Sequence, residues 1–91
     1  MQIKKKRGEN MNELKTQKSI NLNKFAQENI GNASFISALE IWERFEKELK
    51  ALGVLTYASL LATLVYLEKQ GYLLKQKLEY KGKLVTGFKT K

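Results

Sequence analysis

The chain has 91 residues, 43% of them hydrophobic, and its 17 basic and nine acidic side chains give a formal charge of +8. That length suits one small domain with a modest core. It contains no cysteine and no histidine, which excludes disulfides, ordinary zinc sites and Ser-His or Cys-His catalysis. The acids are all glutamate, scattered along the chain, and no glycine-rich phosphate loop is present. Neither an acid/base pair nor a cofactor site can be nominated, so the expectation is a non-enzyme without a cofactor.

Residues 1–20 are polar and lysine-rich, with Lys4, Lys5, Lys6 and Arg7 in a run and no apolar periodicity. They read as a flexible basic arm. Met11 is a second candidate start. The domain is expected over residues 21–91. Leu22–Ile30 predicts a short helix capped by Asn21, with Leu22, Phe25, Ala26 and Ile30 at helical spacing and Gly31-Asn32 as the break.

A long helix is expected from Ala33 or Ser34 to Leu52. Phe35, Ala38, Leu39, Trp42, Phe45, Leu49 and Leu52 form its apolar stripe. Glu43–Lys47 and Glu46–Lys50 make i, i+4 pairs in the favourable order, and Gly53 ends the helix. Ile36 and Ile41 lie off the stripe. With Phe35 and Trp42 they widen the apolar face, either as a dimer interface or as ordinary core and surface positions.

Thr56 predicts the cap of a third helix that runs to Gln70 and stops at Gly71. Leu60, Leu61, Leu64 and Leu67 are expected inward. Tyr57, Ser59, Ala62, Thr63 and Tyr66 fall toward the other side, which carries no charge before Glu68. A solvated face would carry lysine and glutamate. This one suits docking against base edges or burial in a dimer. Tyr72–Tyr80 then alternates, Lys81-Gly82-Lys83 turns, and Leu84–Lys91 returns, a hairpin with one face on the helices and one mostly cationic. Tyr72, Leu74, Leu78 and Tyr80 are expected on one face of its first strand, with Leu73, Lys75, Lys77 and Glu79 on the other. The tip lysines serve either phosphate contact or protection of an edge strand.

Charge is segregated. Residues 1–20 carry six basic and two acidic groups, residues 21–68 four and six, and residues 69–91 seven and one. Such a distribution suits a polyanion partner; the alternative is that a lysine-rich chain reflects the composition of its proteome. The uncharged stretch Ala51–Leu67 is at the short limit for a membrane span and is interrupted by Gly53 and several hydroxyls. No secretory signal is visible, and a cytoplasmic protein, associated with a nucleoid or plasmid and not with a membrane, is expected.

The order of Ser37–Lys91 resembles winged helix-turn-helix proteins of the PadR type and the bacterial replication terminator protein. A long amphipathic helix ends in glycine (SALEIWERFEKELKALG). TYASLLATLVYLEKQGYL follows, and then the hairpin. Leu64 to Leu73 (LVYLEKQGYL) is similar to the family's LxxLExxGxL signature. In size and lysine richness the chain also resembles small winged helices of archaeal plasmids and viruses, including a partition adaptor that spreads on its centromere. Proteins of the first two kinds usually dimerise through a helix after the wing, and this chain ends at the second wing strand.

The resemblance implies a mainly α fold with a β-hairpin: short helix, long helix, recognition helix, two-stranded wing. It implies a dimeric protein that binds double-stranded DNA and acts in transcription regulation, plasmid partition (DNA segregation) or replication control. Sequence reading would fall to Tyr57, Ser59, Ala62, Thr63 and Tyr66. Phosphate contacts would fall to Lys69, Lys75, Lys77, Lys81, Lys83 and Lys89, with the arm beside them. None of the reading residues makes the bidentate arginine–guanine bond, so A·T-rich sites are expected, with help from DNA shape or from several dimers side by side, and with an adaptor or ATPase as a further partner. The alternative is a protein-interaction module that uses the neutral helix face.

Overall fold

Three helices begin in the same way. Thr16, Ser37 and Thr56 stand in extended backbone. Their hydroxyl oxygens accept from the amides of Ser19 (3.1 Å), Glu40 (3.0 Å) and Ser59 (3.0 Å). Each bond satisfies an amide that the first helical turn leaves without a partner. The helices are α1 (Gln17–Asn29), α2 (Ala38–Ala51) and α3 (Tyr57–Lys69). The structure, a computed structural model, describes residue 14 and residues 16–91.

α2 and α3 also end alike. The amide of Val54 donates to Leu49 O and that of Gly53 to Lys50 O. Tyr72 and Gly71 repeat the pattern on Leu67 O and Glu68 O. This Schellman geometry needs a left-handed residue after the cap, and Gly53 (φ 95°) and Gly71 (φ 91°) supply it.

β1 (Ile36–Ser37), β2 (Leu73–Tyr80) and β3 (Lys83–Thr90) form an antiparallel sheet in the order β1-β3-β2. Ile36 pairs with Phe88 and Ser37 with Gly87. Lys81 (φ 55°) and Gly82 (φ 77°) make a two-residue turn closed by the Tyr80–Lys83 pair. Two positive-φ residues give a turn whose twist matches that of the strands.

All elements except β1 add buried apolar side chains to one core: Leu22, Phe25 and Ala26 of α1, Ala38, Ile41 and Leu49 of α2, Leu60, Leu64 and Leu67 of α3, and Leu73 and Phe88 of the hairpin. A leucine buried as fully as Leu64 contributes about 2 kcal/mol. α2 leaves helical geometry at Phe45 (φ −125°, ψ 21°). The Phe45 ring there meets Phe25 edge-on, with centroids 5.0 Å apart.

Several expectations are corrected. The fold is α+β, with a third strand before α2 and not only a hairpin after α3. α2 starts at Ala38, because residues 36–37 are drawn into the sheet by β3. α1 starts at Gln17, capped by Thr16 and not Asn21, so residues 17–20 are helical; residues 1–13 and 15 lie outside the described residues. Lys83 belongs to β3 and not to the turn. Glu43 pairs with Lys81 instead of Lys47, while Glu46–Lys50 forms at 2.7 Å. The stretch Ala51–Leu67 is split by the turn between α2 and α3. Among the described residues, no helix is long and apolar enough to cross a membrane.

Candidate nucleic-acid interface

α3 packs on the core through Leu60, Leu64 and Leu67. Its opposite face is set by helical spacing: Ala58, Leu61, Ala62, Val65 and Lys69 stand at i, i+3, i+4, i+7 and i+11. Ala58, Ala62 and Lys69 are exposed, and Leu61 and Val65 half-buried. Leu55, just before the helix, is 64% exposed. The outward face is therefore uncharged and apolar until its last turn.

Of the five residues expected to read sequence, Ala62 alone is exposed on this face. Thr63 is 6% exposed, and its hydroxyl donates to Ser59 O at 2.8 Å. That internal bond lets a threonine occupy a core position. Ser59 is half-buried, and its hydroxyl accepts from Lys18 Nζ of α1 at 3.1 Å. Tyr66 turns toward α1 and lines a cleft of about 340 Å³ with Thr16, Lys18, Ser19, Ala62 and Thr63. Tyr57 is packed against the core. Leu61, expected inward, packs against the core and stays half-buried, as does Val65, to which the sequence pattern assigned no side. Both lie one helical step from the exposed alanines Ala58 and Ala62.

The hairpin flanks α3 on the other side. Leu73 is buried and Leu74 is 38% exposed, the reverse of the expected packing face. Lys75 pairs with Phe88 and Lys77 with Thr86, so Leu73, Lys75 and Lys77 share the sheet face that bears buried Phe88. The base of that face lies in the core and its outer part overhangs α3. Leu61, Val65, Lys75, Gln76, Lys77 and Thr86 line a cleft of about 360 Å³ between helix and hairpin. Lys75 Nζ lies 3.5 Å from Glu68, an exposed pair worth at most about 1 kcal/mol. Lys77 Nζ bonds Thr86 Oγ1 at 3.3 Å.

The remaining hairpin lysines do not join this group. Lys83 pairs with Tyr80 and Lys89 with Leu74, on the opposite sheet face. Lys89 Nζ sits 4.8 Å above the Phe35 ring. Lys81 is held at α2, with Nζ 3.1 and 3.3 Å from the two Glu43 oxygens. Tyr80 OH donates to the same carboxylate at 2.8 Å. The Tyr80 and Lys81 hydrogen bonds lower the Glu43 pKa and raise those of Tyr80 and Lys81.

The expected dimer residues divide as well. Ile41 is fully buried in its own core, since the true inner stripe of α2 runs through Ala38, Ile41, Phe45 and Leu49. Ile36 pairs with Phe88 and packs on that core. Phe35 and Trp42 are half-buried. Among the described residues, no three His, Cys, Asp or Glu side chains cluster to hold a metal. No family model, curated protein or solved structure matches the chain.

Proposed function

We propose that this domain binds double-stranded DNA as a winged helix-turn-helix, with α3 in the major groove and the β2–β3 hairpin on the adjacent phosphates. The observation that carries this reading is the bracketing of α3. Its outward face is neutral, Lys75 and Lys77 stand on the hairpin side, Lys18 stands on the α1 side, and Lys69 closes the last turn. A groove bordered by two rows of phosphates is complementary to that pattern. The order of helices and strands around the sheet suits the same reading.

Four phosphate contacts by these lysines give a slope of about −3.6 in log affinity against log salt, or a loss of about a hundredfold between roughly 50 and 200 mM. Fluorescence anisotropy on a labelled duplex across that range tests it. The biological role is that of a transcription regulator or of a partition or replication-control factor. A footprint on DNA flanking the gene separates these: a compact operator marks a regulator, and protection that extends with protein concentration marks a spreading locus binder. As a dimer it would join through the half-buried Phe35 and Trp42 side.

The exposure of Leu55, just before α3, favours one second reading, an apolar protein partner on α3. Weak DNA binding that ignores salt would select it.

A further inference from the structure

We propose that α3 reads thymine by its 5-methyl group, through van der Waals contact with Ala58, Leu61, Ala62 and Val65 and not through hydrogen bonds to bases. This rests on the DNA reading above and names what the helix recognises.

Ala58, Leu61, Ala62 and Val65 carry no side-chain donor or acceptor. The neighbouring hydroxyls lie to one side of them: Thr63 is 6% exposed and bonds Ser59 O, Ser59 accepts from Lys18, and half-buried Tyr66 turns toward α1, where it lines a cleft with Thr16, Lys18 and Ser19. Donors and acceptors on the major-groove edges of the bases would lose water against this surface and gain nothing in return. The thymine methyl is the apolar group that major-groove edge offers. It gains by burial against alanine, leucine and valine.

Charge identifies the occupant. Lys18 lies on the α1 flank, where it reaches Ser59. Lys75 and Lys77 line the cleft on the hairpin flank with Leu61 and Val65. The apolar strip therefore runs between cations on both sides. A thymine-rich groove presents the complement, methyl groups between two rows of phosphates.

The test compares duplexes of alternating d(A-T) with d(A-U) of the same length, which lacks only the methyls. A second pair compares d(G-C) with its 5-methylcytosine form. The expected result is tighter binding to d(A-T) than to d(A-U), by about fourfold for each methyl buried, and tighter binding to the methylated d(G-C). Leu61→Ala and Val65→Ala, each checked for an unchanged circular dichroism spectrum, should shrink the ratio of d(A-T) to d(A-U) affinity. Lys75→Ala should weaken both duplexes equally and leave the ratio alone. Equal, salt-dependent affinity for d(A-T) and d(A-U) would overturn methyl reading while leaving DNA binding in place. Absence of salt-dependent binding to any of the four duplexes would overturn both.

Discussion

α2 and α3 are built alike and finished differently. Both start on a hydroxyl cap, both end in a Schellman turn with glycine, and both bury one stripe in the same core. Their outward faces diverge. That of α2 carries Glu40, Arg44, Glu46, Lys47, Glu48 and Lys50, with Glu40–Arg44 and Glu46–Lys50 paired along the helix. That of α3 offers Ala58, Leu61, Ala62 and Val65. Folding asks the same caps and buried stripe of both helices, and under the proposed function the difference between their outward faces reflects what each would meet: water at α2, a base-pair surface at α3.

The largest expected effect follows from giving α3 the character of α2. Ala62→Glu places an acid in the middle of the neutral face. Facing phosphates, it should weaken DNA binding by about a hundredfold or more, the equivalent of roughly 3 kcal/mol. Ala62 is exposed, so the melting temperature should hardly move. Lys47→Glu on α2, the matched control, should change affinity far less. Equal losses from the two would dissolve the distinction between the faces.

Next comes the cationic flank. Lys75→Ala with Lys77→Ala should lower the steepness of the salt dependence by about 1.8. Lys83→Ala with Lys89→Ala removes the same charge from the opposite sheet face. It should leave that slope nearly unchanged, and a titration series at several salt concentrations distinguishes the pairs.

The parts of this comparison that were legible in the sequence were those set by neighbours along the chain. Thr56 marks the start of α3, Gly71 its end and Gly82 the turn, because caps and positive-φ turns are local chemistry. The start of α2 was also marked, by the Ser37-x-x-Glu40 pattern, but Phe35 continued the apolar spacing upstream and masked it. β1 was not legible, since its two residues become a strand only when β3 arrives from the far end of the domain. The α3 surface was sorted by chemistry, leucines inward and hydroxyls outward. Thr63 broke that rule by bonding its own helix, while Leu61 followed it in part, half-buried against the core at the edge of the hairpin cleft. Lys75 and Lys77 were expected on the face away from the core, yet they share the face of buried Leu73 and Phe88, because their side of the sheet depends on which end of the strand α3 covers.

Cap removal tests whether the two helices really share a start. Ser37→Ala and Thr56→Ala should each destabilise the domain by about 1 kcal/mol, with Ser37 toward 2 kcal/mol. Ser37 is 1% exposed and Thr56 is exposed, so water replaces the lost bond more readily at Thr56. Chemical denaturation measures both.

The smallest effect concerns the place where α2's charged face does more than meet water. Glu43 holds the hairpin tip through Tyr80 and Lys81. Hydrogen bonds from Tyr80 and then Lys81 lower its pKa, so its contribution is complete above the ordinary carboxylate range and is lost as pH falls through the lowered value. The Tyr80 and Lys81 pKa values are raised chiefly by their hydrogen bonds to Glu43. Their contributions are complete below their ordinary values and fade only as pH rises through the raised ones. The latch should therefore stay closed from mildly acidic to mildly alkaline pH and open at both extremes. Its side chains are exposed, so screening keeps the effect on global stability small, and the readout must be local. Tyr80 ring resonances should shift in acid below the usual carboxylate range, and Glu43→Gln should abolish that step while the core signals stay unchanged. An acid step that survives in Glu43→Gln would assign it to another group and leave the tip free of α2. Lys81 would then be available to phosphate, and the hairpin's cationic group would grow from Lys75 and Lys77 to include it.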